Sequence, residues 1–270
     1  MNTEGKIILI TGASSGIGKA CAIQLAAHGA HVILQARGEE ALKEVANIIE
    51  SNGGKASVYP VDLSDFNQIN NAAERIKSEV GVPDVIINNA GMGKWLFIEE
   101  TEHVEIEQMM SVPYFAACHT TRAFIKEILE RNSGHIINVN SPASLMAFPG
   151  ANSYTGARWA LRGFNDALRA DMNGTKISVS MLVAAKVSSS YFDNNPGSEE
   201  RVPKISALFG TLTPEQVAKS IHNLIRSPRN YVIIPFLLAV VAWFNRLFPS
   251  IVEWIVFKTS YKRSGTQTIH

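Results

Sequence analysis

Several things are scarce in this sequence, and each scarcity excludes a class of protein. Two cysteines in 270 residues, Cys21 and Cys118, cannot staple a disulfide scaffold. Both fall in stretches that read as helices, so they are expected to be buried apolar residues in a reducing compartment. Charge of one sign is also scarce. Lys and Arg number 25 against 24 Asp and Glu, a formal net charge of +1. With no basic stripe, nucleic acid is not an expected partner. There is no internal repeat and no low-complexity linker. No unbroken apolar run reaches the roughly 20 residues a membrane-crossing helix needs. The nearest, 231–257, is interrupted by Asn245, Arg246, Pro249 and Glu253, which leaves Val232–Phe244. The opening residues pass straight into a strand without a secretory signal, so the expected location is cytoplasmic. Packing or dimerisation is the first reading of residues 236–257. A lid over an apolar substrate, or peripheral contact with a membrane surface, is the sharper one.

What is present is alternation. Short apolar runs at 6–11, 31–35, 55–60, 84–88, 135–140, 177–183 and 231–234 read as strands. Helical patterns lie between them at 16–28, 39–51, 66–80, 103–131, 153–172 and 214–227. Near-continuous apolar strands alternating with helices predict a three-layer α/β fold, a parallel sheet covered on both faces. The length suits one domain, residues 1–270, with an apolar C-terminal extension over 235–270. The irregular stretch 188–212 follows a strand's C-terminal end, where open α/β sheets bind ligands, and reads as a substrate loop.

Thr11-Gly12-Ala13-Ser14-Ser15-Gly16-Ile17-Gly18 directly follows the first strand and opens the first helix. Glycines allow a tight turn and close approach to a pyrophosphate, and the helix start offers unpaired N–H groups. The second strand ends Ala36-Arg37. An acidic residue there would bind the ribose of NAD, whereas Arg37 suits the 2′-phosphate of NADP. Asp62, beside Leu63 at the end of the third strand, could accept from an adenine amino group or cap the next turn.

Ser141 ends the fifth apolar run, and Tyr154-Thr155-Gly156-Ala157-Arg158 follows. Tyr154 and Arg158 share a helix face at i,i+4. A phenol beside a permanent cation makes a general acid whose proton is easier to lose.

Together with Asn88-Asn89-Ala90-Gly91 after the fourth strand, these motifs, in this order from about residue 6 to 234, resemble the short-chain dehydrogenase/reductase family. The resemblance implies a Rossmann-like sheet of seven parallel strands and a nicotinamide cofactor, NADP(H) here. It implies hydride transfer between that cofactor and an alcohol or carbonyl. Tyr154 takes the acid/base position and Ser141 anchors the substrate oxygen. Asn89, Ala90, Gly91 and Ser189 join the cofactor-binding set. Arg158 stands where the family has a lysine that binds the nicotinamide ribose, and Pro113 where it has an asparagine that holds a water. Ala184-Ala185 replaces the usual Pro-Gly. Arg158 supplies charge and donors but does not release a proton, so relay through it is blocked. Pro113 kinks or breaks its helix. Met92, Trp95, Leu96, Leu145, Met146 and Phe148 are expected to wall an apolar substrate site. Pairing of the long helices implies a homodimer or homotetramer. The expected function is NADP(H)-dependent oxidation or reduction of a small apolar alcohol or carbonyl. The alternatives are a catalytically impaired NADP(H)-binding sensor or scaffold, and a peripheral membrane protein held by residues 236–257.

Overall fold

The structure is a computed structural model that describes residues 2–189, 191–193 and 195–263. Its strands are β1 (Ile7–Thr11), β2 (His31–Ala36), β3 (Lys55–Pro60), β4 (Val85–Asn88), β5 (Gly134–Asn140), β6 (Ile177–Ala184) and β7 (Tyr231–Ile234). They form one parallel sheet in the order β3-β2-β1-β4-β5-β6-β7. The helices are α1 (Gly16–Ala27), α2 (Glu39–Ser51), α3 (Phe66–Glu79), α4 (His103–Met110), α5 (Ala116–Arg131), α6 (Asn152–Asp171), α7 (Pro214–Arg226), α8 (Phe236–Leu247) and α9 (Pro249–Thr259).

Alternation along each strand sends neighbouring side chains to opposite faces. Ile8 and Ile10 of β1 join Leu25 of α1, Leu42 of α2 and Ile221 of α7 on one side. Leu9 joins Ile76 of α3, Phe124 of α5 and Leu168 of α6 on the other. The expected three layers and seven parallel strands are therefore present. The direction of travel reverses between β1 and β4, which opens a crevice at their C-terminal ends.

A chain of buried amides fixes the helices that carry the candidate site. Asn88 Nδ2 donates to Thr121 Oγ1 of α5 and to Asn138 Oδ1 of β5. Asn138 Nδ2 donates to Asn165 Oδ1 of α6. Asn165 leads to Asp166, which accepts a 2.6 Å bond from Tyr231 on β7. The bonds among Asn88, Thr121, Asn138 and Asn165 are buried and costly to break, because water cannot readily replace a lost partner there.

The single helix expected over 103–131 is interrupted. Ser111–Phe115 is a π-helical turn, and the Ala116 N–H reaches back to the Ser111 carbonyl. Pro113 explains it: lacking an N–H, proline cannot continue the α-helical ladder, and one extra residue in the turn absorbs the defect. Residues 236–259, where apolar helical turns are expected after the last strand, form two distinct helices, α8 and α9.

Candidate functional site

Gly12 and Gly16 adopt φ of +67° and +52°, the left-handed region that penalises a side chain. Gly18 is constrained by space. A Cβ there would lie 2.1 Å from the Gly12 carbonyl oxygen, so α1 can approach β1 only without one. The turn is clamped from beside as well. Thr11 Oγ1 accepts from the Asn89 and Ala90 amides, both at 3.0 Å, and Asn89 Nδ2 donates to the Thr11 carbonyl at 2.9 Å. The Asn89 amide thus ties β4 to β1. Ser189 crosses the glycine turn from the far side, with its Cβ 3.2 Å from where a Gly16 side chain would begin. The turn is a cradle held open for something that needs backbone N–H groups.

This cradle lines one end of a cavity of about 1100 Å³. Among the expected cofactor residues, Gly12, Ser14, Ser15, Gly16, Ile17, Arg37, Asp62, Leu63, Asn89, Ala90, Gly91 and Ser189 all line it. Gly18 is buried beneath it. Arg37 is exposed at the rim. Asp62 Oδ1 accepts from the Ser64 amide at 3.0 Å and its hydroxyl at 2.7 Å. The Ser64 amide, more than the nearby charge of Arg37, holds this carboxyl below the usual carboxylate range. Asp62 therefore does cap its turn, while still facing the cavity.

Ser141, Tyr154 and Arg158 line the middle of the same cavity. Asn140 unites them: its Nδ2 donates to the Arg158 carbonyl at 3.1 Å and its Oδ1 accepts from the Ser141 amide at 2.9 Å. One side chain thereby sets α6 against the end of β5. Tyr154 and Arg158 are 5% and 7% exposed. The guanidinium carbon sits 4.9 Å from the Tyr154 ring centroid, on a cation–π contact. Arg158 Nε is buried with no hydrogen-bond partner. Its terminal nitrogen fills the space beside Gly91, where a Cβ would come within 2.6 Å of it. A buried donor without a partner is costly and marks a place where a ligand oxygen fits.

The walls were partly legible. Met92, Trp95, Met146 and Phe148 line the cavity. Leu145 instead packs into neighbouring apolar clusters, and Leu96 is outside the lining. Pro113 is buried and does not line the cavity, whereas Gln108, Ser111 and Val112 do. Counting back through an unbroken α-helix misses the extra residue of the π turn, which brings Val112 and Ser111 to the lining.

Loop 188–212 supplies groups that motif reading overlooked. Its base is a parallel bridge between Val187 and Leu212, with Ser188 N bonded to the Leu212 carbonyl. This pairing takes over where Ala184-Ala185 lacks a fixed turn. Tyr191 donates to the Gly93 carbonyl at 2.9 Å, and Ser198 accepts from the Trp95 amide at 3.1 Å. Arg201 pairs with Glu100. The loop is thus stitched down over residues 93–100. Tyr191 lies 6.4 Å from Tyr154, ring to ring. Burial, and secondarily charge on Tyr154, push the Tyr191 phenol well above its ordinary value, against the pull of Arg158. It stays a neutral donor. No local pattern singles out Tyr191, which sits beside Phe192 in a loop that mixes polar and apolar residues.

Beyond Tyr154 the lining turns apolar: Phe209, then Leu238, Val241 and Phe244 of α8, then Val252 and Val256 of α9. The two cysteines are free; Cys21 is buried, and burial raises the half-buried Cys118 thiol to about 11. Neither is a nucleophile near neutral pH. Among the described residues, no group of His, Cys, Asp and Glu could hold a metal ion.

Comparisons with known proteins agree with this geometry. A family model described as short chain dehydrogenase matches residues 6–199. Fatty acyl-CoA reductase of Acinetobacter baylyi is 34% identical over 231 residues, 84% of this chain and 76% of that protein. An uncharacterised oxidoreductase of Mycobacterium tuberculosis is 35% identical over 237 residues. The match takes in 84% of this chain but 66% of that relative's length. A solved metagenomic short-chain oxidoreductase in complex with NADP superposes with a TM-score of 0.73 at 27% identity, covering 87% of this chain and 98% of its own.

Proposed function

This chain belongs to the short-chain dehydrogenase family, and from that premise we propose that it is an NADP(H)-dependent oxidoreductase of long aliphatic carbonyls or alcohols. The observation that carries the reading is one continuous cavity. A glycine cradle with an arginine rim lies at one end, Ser141 and Tyr154 in the middle, and the aliphatic walls of α8 and α9 at the other.

The residues fit the cofactor. The cradle from Gly12 to Gly18 would take the pyrophosphate on its N–H groups, and Arg37 would take the 2′-phosphate. Asp62, Leu63, Asn89, Ala90, Gly91 and Ser189 would complete the cofactor-binding set. The unpartnered Nε of Arg158 would suit a ribose hydroxyl. When bound, the nicotinamide supplies or accepts the hydride.

The chain's own residues handle the oxygen and its proton. In the reducing direction Ser141 Oγ donates to the substrate carbonyl oxygen. The Tyr154 hydroxyl gives that oxygen its proton as the C–O bond becomes a single bond. The phenol is left negative, and the guanidinium on its ring face attracts that charge. Arg158 keeps its own protons, so a water entering the cavity returns the proton to Tyr154. Loop 188–212, tied down through Tyr191, Ser198 and Arg201, limits entry of water. The chain length follows from the apolar end, and the name of the Acinetobacter relative supports it.

A second reading, NADP(H) binding without turnover, draws on Arg158 in the lysine position. One experiment separates them. Purified protein is mixed with NADPH and aliphatic aldehydes of increasing length, and cofactor absorbance is followed. Turnover is expected, with NADPH preferred over NADH. Tyr154→Phe should lower kcat by about 10²–10⁴-fold while leaving NADPH affinity intact. Arg37→Glu should reverse the cofactor preference. NADPH binding with no oxidation by any aldehyde would establish the binding-only reading.

A further inference from the structure

We propose that the outer face of α8 and α9 is a membrane-docking surface, which seats the protein on an anionic lipid bilayer. The two helices are apolar on both sides. Their inner residues line the cavity, but their outer residues meet solvent. Phe236 is 82% exposed, Trp243 63% and Trp254 61%. Leu247, Phe248, Ile251 and Phe257 are each about half exposed on the same pair of helices. An exposed apolar patch of this extent marks a partner.

The composition of the patch selects the partner. The two exposed tryptophans, Trp243 and Trp254, combine an apolar body with an indole N–H, the combination favoured at the headgroup boundary. Exposed cations flank the apolar residues. Arg246 and Lys258 occupy the last turns of α8 and α9, and Lys262 follows. The acid between them is Glu253. This balance complements anionic headgroups, which attract each nearby cation. A second copy of the chain is a poorer match. In a two-fold pair the opposing patch would offer these cations a single acid, Glu253. Neither helix spans a bilayer; among the described residues none is long and apolar enough. Helices of 12 and 11 residues, with exposed apolar side chains and a basic residue in each last turn, suit the interface plane.

The inference concerns the surface and stands apart from turnover. Passage of an aliphatic substrate between α8 and α9 into the cavity rests on the oxidoreductase reading.

Full-length protein is floated with vesicles of phosphatidylglycerol and phosphatidylcholine, and with vesicles of phosphatidylcholine alone. It should rise with the first, less with the second, and less with the first in high salt. Brominated lipids should quench emission from two of the four tryptophans, Trp243 and Trp254. The double variant Trp243→Ser/Trp254→Ser should bind these vesicles about tenfold more weakly or worse. Its NADPH affinity and melting temperature report that it has folded. Quenching of the unaltered protein tests the surface even if the variant does not fold. Protein that stays in solution with both vesicle types overturns the proposal. So does a loss of self-association in the double variant with unchanged flotation, which would assign the face to a second copy.

Discussion

At the scale of single residues, the sheet interior carries a titratable group that the candidate site does not use. His135 of β5 is buried, with Nε2 2.8 Å from Ser180 Oγ and Nδ1 without a partner. Burial drives its pKa down to about 4. The unfolded chain protonates this histidine near pH 6.5, but the folded protein does so only near pH 4. Between those values the unfolded state holds the extra proton, so stability falls as pH falls through the window. The histidine's share is about 3 kcal/mol, fully lost below about pH 4. Urea unfolding of the wild type and His135→Gln across this range should show a steeper acid loss in the wild type. Parallel curves would mean that the imidazole is hydrated or already charged in the fold. Ser141, Tyr154, Arg158 and the glycine cradle were legible because backbone conformation and reaction chemistry restrict which residues can stand there. Tyr191 and Ser198 were not. Their significance comes from contacts with Gly93 and Trp95, about a hundred positions away, and no local pattern encodes that pairing.

At the scale of elements, strands and helices were readable to within a residue or two, because hydrophobic period and length fix them. The exception was the segment around Pro113. Proline announced a defect, but whether the chain kinks, breaks or inserts a residue depends on what packs against α4 and α5. The glycine-led start of α1 makes a sharper test. Gly18→Ala places a methyl against the Gly12 carbonyl, and α1 must lift from β1 to admit it. Destabilisation of about 1–3 kcal/mol should accompany weakened NADPH binding. Gly163, exposed on α6 with nothing within 4 Å of its added Cβ, is the control. Gly163→Ala should stabilise by about 0.5–1 kcal/mol, since alanine loses less entropy in a helix. Thermal melts and NADPH titrations of both variants measure the contrast. A Gly18→Ala protein that melts and binds like the wild type would show that the approach of α1 to β1 is looser than the geometry requires.

At the scale of the whole molecule, the cavity joins a polar mouth beside Arg37 to an aliphatic end between α8 and α9. Each methylene that enters the aliphatic end is worth about 0.8 kcal/mol, or about fourfold in KM. A series of straight-chain aldehydes should show KM falling by about that factor per carbon, then levelling where the chain outgrows the pocket. A flat series would place the aliphatic tail outside the cavity. If α8 and α9 seat on a bilayer as proposed, the two ends of the cavity also face different media. A water-borne cofactor arrives at one end by ordinary diffusion in three dimensions. A substrate dissolved in lipid reaches the other by sliding within a sheet two molecules thick. For such a substrate, moles per litre is the wrong measure of supply. The rate would follow how densely the substrate crowds the surface, so diluting it with inert lipid would slow the reaction although the total amount in the tube never changed.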